Sequence, residues 1–130
     1  MIKSFFAVLL SGVVIDYFWV AVLAKQFYIR EFGNLVRRVN GEVAFNVPVA
    51  ALTYVLIALG IAAFVVPRAA SSLQAAGYGA LFGFVAYGIY DLTNYATLQS
   101  WSWKFVAVDM AWGTILCAAL GAIGYWVSAK

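Results

Sequence analysis

Charged residues are scarce in this sequence of 130 residues. Asp, Glu, Lys and Arg together make up 10% of it, against roughly 25% in an average soluble domain. Hydrophobic residues make up 66%, and the mean hydropathy is +0.96. Because so few charges cannot coat a water-soluble domain, and because the chain is so apolar, a disordered chain, a nucleic-acid-binding protein and a secreted disulfide scaffold are excluded together. The class of protein that remains is an integral membrane protein.

Histidine is absent, and cysteine occurs once, at Cys117. Without histidine the chain cannot build an imidazole metal site, a histidine-ligated haem or a Ser-His-Asp triad. A single cysteine excludes an internal disulfide, and its position within an apolar segment predicts a packing role. The sequence therefore predicts no cofactor and no metal site.

Long intervals with at most one charge divide the chain into four apolar segments. A helix needs about 20 mostly apolar residues to cross the hydrocarbon core of a bilayer. The segments are continuously apolar rather than alternating, which excludes membrane-spanning strands. We expect the first segment to be a retained helix, because its apolar run is longer than that of a signal peptide. The predicted fold is all-α, a membrane-spanning four-helix bundle forming one domain over 1–130, with spans at about 4–24, 44–66, 73–97 and 105–127.

The connection between the first two spans has an amphipathic pattern. Its apolar residues recur at helical spacing, at Tyr28, Phe32, Leu35, Val36 and Val39. This pattern predicts an interfacial helix over about 26–39, ended by Asn40-Gly41 and resting on the lipid bilayer. A solvated loop is the alternative. The residues predicted to contact the membrane surface are Lys25, Arg30, Arg37 and Arg38.

The distribution of Lys and Arg predicts the orientation. With four spans, the first and third connections share one membrane face, and both termini share the other face with the second connection. The first of these faces carries five basic residues and the second carries three, Lys3, Arg68 and Lys130. The excess favours the face with the first and third connections as cytoplasmic. The predicted location is the bacterial inner membrane, with the chain crossing it several times.

Three aspartates lie inside the predicted spans, at Asp16, Asp91 and Asp109. At 1.5 Å per helical residue, each aspartate lies about 7–13 Å from the nearest end of its span. In all three spans that end is at the same membrane face. Carboxylates within spans nearly always face the bundle interior or a water-filled cavity. We therefore predict a polar pocket opening toward the face with the first and third connections.

Helical spacing predicts the neighbours of each aspartate. Every aspartate has an aromatic residue three or four positions away, and Lys25, Arg30 and Lys104 are candidate counter-ions. Because three carboxylates at one depth repel each other when all are ionised, we expect at least one to hold a proton at neutral pH. The alternative is that these groups only hold the helices together by hydrogen bonds. The predicted pocket residues are Asp16, Trp19, Tyr87, Asp91, Asn94, Asp109 and Trp112.

Small residues recur every four positions in the last two spans. The third span has Gly79 and Gly83, and the fourth has Gly113, Cys117 and Gly121. This spacing lets helix backbones approach closely, which predicts close packing of the third and fourth spans. A homo-oligomer built on one of these stripes is the alternative.

Three runs carry a family resemblance: 15–28, 80–98 and 109–114. They resemble a bacterial family of predicted membrane proteins, domain of unknown function 2177. The most specific part is Tyr90-Asp91-Leu92-Thr93-Asn94, whereas Ser102 stands where the family pattern usually has proline. The resemblance covers nearly the whole chain and implies a four-span inner-membrane protein with no established activity. It also implies an association with lipid-modifying enzymes.

Three functions remain open. The first is a proton- or cation-linked protein that binds or transports a small molecule, with the aspartates as its titratable site. The second is a non-catalytic partner of a larger membrane complex, such as a lipid-modifying enzyme. The third is an enzyme in its own right, because paired aspartates can activate water. The sequence lacks a second motif such as Gly-x-Gly-Asp, which makes the enzyme the weakest of the three.

Overall fold

The computed structural model describes residues 1–130, and all its regular elements are helices apart from one short hairpin. Two of the long helices end in π-helical turns, at Phe18–Leu23 and at Ile61–Val65. The elements are α1 (Ile2–Tyr17), α2 (Lys25–Phe32), β1 (Arg38–Val39), β2 (Glu42–Val43), α3 (Val47–Gly60), α4 (Ser72–Thr97) and α5 (Trp103–Ser128).

Side-chain caps fix where three of the helices begin. Asn46, Ser71 and Ser102 each accept a hydrogen bond from the backbone N–H three residues on, at 3.3, 3.1 and 3.2 Å. Such caps satisfy backbone donors that have no partner within the helix. Pro48 lies in the first turn of α3, where its missing N–H removes no helical hydrogen bond.

Three helices are long and apolar enough to cross a membrane: Ile2–Leu23, Val47–Arg68 and Trp103–Ser128. The first two include the irregular turns that continue α1 and α3, and the third is α5 alone. The remaining long helix, α4, is as long as α5, but it is richer in glycine, tyrosine and polar side chains. By hydropathy, therefore, three of the four predicted spans qualify.

Close contact between α4 and α5 is the main packing feature of the bundle. A side chain added at Gly79 would overlap the Cys117 carbonyl, and one added at Gly83 would overlap the Gly113 carbonyl. As the position on α4 advances by four residues, its partner on α5 moves back by four, as it does in antiparallel helices. The prediction that the small-residue stripes pack these helices within one chain is confirmed. Cys117 is fully buried in this contact, as its predicted packing role requires.

A second apolar core joins α1 and α3 to another face of α5. Its fully buried members include Val8 of α1, Ala58 of α3 and Leu120 of α5. Gly124 lies against Val8 and Val66. Consequently α5 is the central helix, with α4 on one side and the α1–α3 pair on the other.

The predicted interfacial helix over 26–39 is wrong beyond Phe32. Helix α2 ends at Gly33, whose φ of +52° is unfavourable for residues with a side chain. After a 3₁₀ turn the chain forms the hairpin β1–β2, in which Val39 pairs with Glu42. Asn40 and Gly41 both have positive φ, 52° and 83°, and form the hairpin turn rather than a helix end.

The α1–α3 connection, which contains α2, and the α4–α5 connection lie at the same end of the bundle. The Phe32 ring at the end of α2 lies 5.3 Å from the Trp101 ring in the α4–α5 connection, measured between centroids. The three aspartates lie toward this end of their helices, which brings α2 next to them.

Candidate functional site

The three aspartates come from α1, α4 and α5, and all three are buried. Their exposed fractions are 9% for Asp16, 0% for Asp91 and 5% for Asp109. They therefore lie inside the helical bundle. Their surroundings differ, and the difference is in how many hydrogen-bond donors each one has.

Asp16 has a donor for each of its carboxyl oxygens. The Trp112 indole N–H donates to Oδ1 at 2.8 Å, and the Tyr54 hydroxyl donates to Oδ2 at 2.6 Å. The donors come from α5 and α3, so this carboxyl joins three helices. It is a satisfied buried acceptor of the kind that stabilises a helical bundle.

Asp109 accepts a hydrogen bond from a residue of α2. The Tyr28 hydroxyl donates to Asp109 Oδ1 at 2.7 Å and accepts a hydrogen bond from the Trp19 indole at 3.0 Å. Burial, with a contribution from the nearby Asp109 carboxylate, raises the pKa of Tyr28 above its ordinary value. The phenol therefore keeps its proton and acts as the donor.

A stacked pair of indoles joins these two carboxyl sites. The Trp19 and Trp112 rings are 4.4 Å apart and nearly parallel, at 9°. The Trp112 indole N–H donates to Asp16, and the Trp19 indole N–H donates to the Tyr28 hydroxyl. Stacking thus holds the N–H donor to Asp16 and the N–H donor to Tyr28 in fixed positions relative to each other.

Asp91 accepts no hydrogen bond of ordinary geometry, although the Trp101 indole lies beside it. Both of its carboxyl oxygens are buried and unpartnered, and so is the indole nitrogen of Trp101. The Asp91 carboxyl lies beside the Asp109 carboxyl and the Trp101 indole. A buried carboxylate without donors costs several kcal/mol in general. Asp91 is therefore a fully buried carboxyl whose burial is not compensated by a hydrogen bond.

Aromatic rings cover the Asp91–Asp109 pair on the side of the connections. Phe105, 2% exposed, is the centre of this cover. The rings around it have centroids between 4.7 and 6.3 Å from its own; they are Phe27, Tyr28, Phe32 and Trp101. Where the sequence predicted a pocket opening toward this face, the structure has a closed aromatic layer.

A surface depression lies to one side of this layer. It has a volume of about 590 Å³ and is lined by residues of the α4–α5 connection, among them Tyr95, Trp101 and Trp103. It reaches the aromatic layer only at Trp101. None of the three aspartates lines it.

The other predicted site residues have different surroundings. The Tyr87 ring lies against Gly113, which packs it between α4 and α5. Asn94 lies beside Tyr90 and does not donate to Asp91. The basic residues predicted as counter-ions do not reach the aspartates, since the single ion pair is Arg30 with Glu31 at 3.5 Å. No group of three or more Cys, Asp or Glu side chains is placed to hold a metal ion.

Sequence reasoning missed three residues of the site: Tyr28, Tyr54 and Trp101. The helical pattern placed Tyr28 on an apolar face, but that face was assigned to lipid rather than to the bundle. Trp101 lies in the α4–α5 connection, outside the predicted spans, yet its indole nitrogen is buried. Tyr54 gave no signal beyond being a hydroxyl within an otherwise apolar span.

The fold and the buried aspartates define a helical membrane protein. A family model described as a predicted membrane protein (DUF2177) matches residues 1–126, and the chain belongs to this family. No curated protein and no solved structure is significantly similar to the chain.

Proposed function

We propose that this is a four-span membrane protein in which the Asp91–Asp109 pair binds and releases a proton, linked to the binding or transport of a small molecule or cation. The proposed location is the bacterial inner membrane, with the α2 end toward the cytoplasm. The observation that carries the proposal is the state of Asp91, which is fully buried with both oxygens unpartnered beside a second carboxyl.

The packing of α4 supports a fourth span. At 1.5 Å per residue its 26 residues extend about 39 Å, more than the roughly 30 Å of a hydrocarbon core. Its glycines contact α5 at successive turns, so α4 runs alongside a helix that is itself apolar enough to span. The single charged residue of α4, Asp91, is buried inside the bundle.

The chemistry of Asp91 supports proton binding. An ionised carboxylate at this position would accept no hydrogen bond of ordinary geometry and would repel the neighbouring Asp109. A proton on the pair removes the repulsion and supplies a donor between the two carboxyls, which then titrate as one coupled unit. Ionisable groups inside membrane spans commonly serve proton relays and ion pathways.

Matched Asp→Asn substitutions test this proposal. In infrared difference spectra between pH 4 and pH 9, we expect a protonated carboxyl band that Asp91→Asn removes and Asp16→Asn retains. Complementation of a deletion strain should be lost with Asp91→Asn and Asp109→Asn, although both variants still fold in detergent. It should persist with Asp16→Asn. An unchanged band and unchanged complementation in well-folded Asp91→Asn protein would refute the proposal.

A second candidate function is that of a non-catalytic subunit of a larger membrane enzyme. The observation that favours it is the exposed hairpin region, where Leu35, Val39 and Phe45 are 51%, 58% and 67% exposed and Arg37 and Arg38 are exposed beside them. Stoichiometric purification in mild detergent tests it. A constant heavier partner that Val39→Asp releases would favour this candidate, whereas a homo-oligomer or monomer would favour the first.

A further inference from the structure

Helix α2 lies across the place where Asp91 is buried. The two neighbours of Asp91 are Asp109 and Trp101, and each is contacted by a residue of α2. Tyr28 donates to Asp109 at 2.7 Å, and the Phe32 ring lies 5.3 Å from the Trp101 ring. Three of the five rings in the cover over the carboxyl pair belong to this one short helix, and Phe105 and Trp101 supply the other two.

Tyr28 supplies the hydrogen bonds that hold α2 to the spanning helices. Its hydroxyl accepts from Trp19 of the α1 extension and donates to Asp109 of α5. Phe27 and Phe32 add ring contacts, and the Glu31 carboxylate lies beside the Ser102 hydroxyl. The Tyr28 hydroxyl provides the directional contact at the carboxyl pair itself, because ring packing alone fixes position less strictly.

Non-helical residues flank α2 on both sides. Ala24 has φ −107° and ψ 5°, which interrupts the path from the π-helical turn of α1. Gly33 has φ +52° and ψ −118°, and a Cβ added there would meet nothing within 4 Å. Large changes in φ and ψ at a few such residues at the ends of an element are what a hinged movement requires.

We propose that α2 is a lid over the Asp91–Asp109 pair and that Tyr28 is its latch. In the closed lid, the Tyr28 hydroxyl bonds Asp109 and the aromatic rings keep water from Asp91. In the open lid, this bond is broken and the carboxyl pair exchanges with the aqueous phase. The lid controls access of water to the proton site. Its role therefore rests on the proposed function, but its movement can be tested separately.

Thiol labelling measures the opening without reference to protonation. In a Cys117→Ser background, Asp91→Cys places one buried thiol under the lid for a water-soluble maleimide. Tyr28→Phe should raise the labelling rate about tenfold, the factor that corresponds to ~1.4 kcal/mol, which is within the range for one intramolecular hydrogen bond. The matched control is Tyr54→Phe, which removes a phenol–carboxyl bond of similar length at Asp16 and should leave the rate unchanged. Equal rates in all three proteins, or equal acceleration by both substitutions, would overturn the lid.

A second measurement keeps Asp91 in place. After transfer to D₂O, the carboxyl band of Asp91 should shift faster in Tyr28→Phe protein than in Tyr54→Phe protein. Phe32→Ala should also accelerate the shift, because it removes ring packing while every polar group of the site remains. If the band is present but shifts at the same rate in all variants, the lid is refuted and the proton site stands. If no such band exists, the proton site is refuted, and the labelling rates decide the lid.

Discussion

Asp16 and Asp91 are two buried aspartates of the same bundle with opposite surroundings. Asp16 receives one donor on each oxygen, from α5 and from α3. Asp91 receives none, although it is the more completely buried of the two. The difference teaches that burial of a carboxyl inside a membrane protein does not by itself indicate a role, whereas its hydrogen-bond complement does.

The comparison separates the two readings of the aspartate cluster. A carboxyl with matched donors on neighbouring helices contributes to assembly, and the Asp16 site has this form. A carboxyl left without donors beside a second carboxyl is costly to the fold, and such costs concentrate at functional sites. The four predictions below test this division, from the largest expected effect to the smallest.

Separating α4 from α5 should destroy the surroundings of Asp91 and spare those of Asp16. Gly83→Val places a side chain where the Gly113 carbonyl lies, so we expect a loss of about 3 kcal/mol or more in detergent melting. The matched control is Gly77→Val on the same helix, where an added Cβ meets nothing within 4 Å. Equal losses from the two substitutions would mean that α4 does not depend on this contact.

Asn at each aspartate should affect stability in opposite ways. Asp16→Asn leaves one oxygen for two donors and turns an amide donor toward the other, so we expect a loss of about 2 kcal/mol. Asp91→Asn removes a titratable group and breaks no hydrogen bond, so the melting temperature should be unchanged or higher. Thermal melting of the two variants in one detergent compares them directly. A large loss in Asp91→Asn protein would show that Asp91 has a structural partner.

The stacked indoles should couple the two sites. We expect a double-mutant cycle of Trp19→Leu and Trp112→Leu to give a coupling free energy of about 0.5–1.5 kcal/mol, the range for a favourable aromatic pair. The control pair is Trp19→Leu with Trp126→Leu, because Trp126 lies exposed near the other end of α5. Strict additivity for the first pair would mean that the Asp16 and Asp109 sites are energetically separate.

The smallest effect concerns Glu31 of α2, whose side chain lies beside Ser102. The Ser102 hydroxyl, with Arg30 beside it, holds the pKa of Glu31 below its ordinary value. Because the folded-state pKa is lowered, the ionised group adds stability above the ordinary pKa of about 4.3, and the contribution is lost as the pH falls through the folded-state value. Glu31→Gln should therefore melt slightly below the parent protein at pH 7 and equally with it at pH 3. A difference that persists at pH 3 would assign the effect to something other than charge.

Several features could be predicted because they depend on local pattern. The apolar segments predicted where the long helices lie, and Gly79 and Gly83 predicted the close α4–α5 contact. The prediction for 26–39 was wrong in its second half, because Asn40-Gly41 is equally a helix stop and a hairpin turn when only spacing is considered. The amphipathic pattern around Tyr28 was real, but an apolar face can pack on lipid or on a neighbouring helix.

The sequence by itself determined that this is a helical membrane protein with three buried aspartates, because hydrophobicity and the cost of isolated charges act on each segment independently of its neighbours. Only the tertiary structure decided which aspartate has partners. Tyr54 reaches Asp16 from a residue 38 positions away, and Tyr28 reaches Asp109 across 81 positions. Such pairs depend on how the helices are rotated and how far they are shifted along one another. Helical periodicity cannot predict this, because it orders residues within one helix and not between helices.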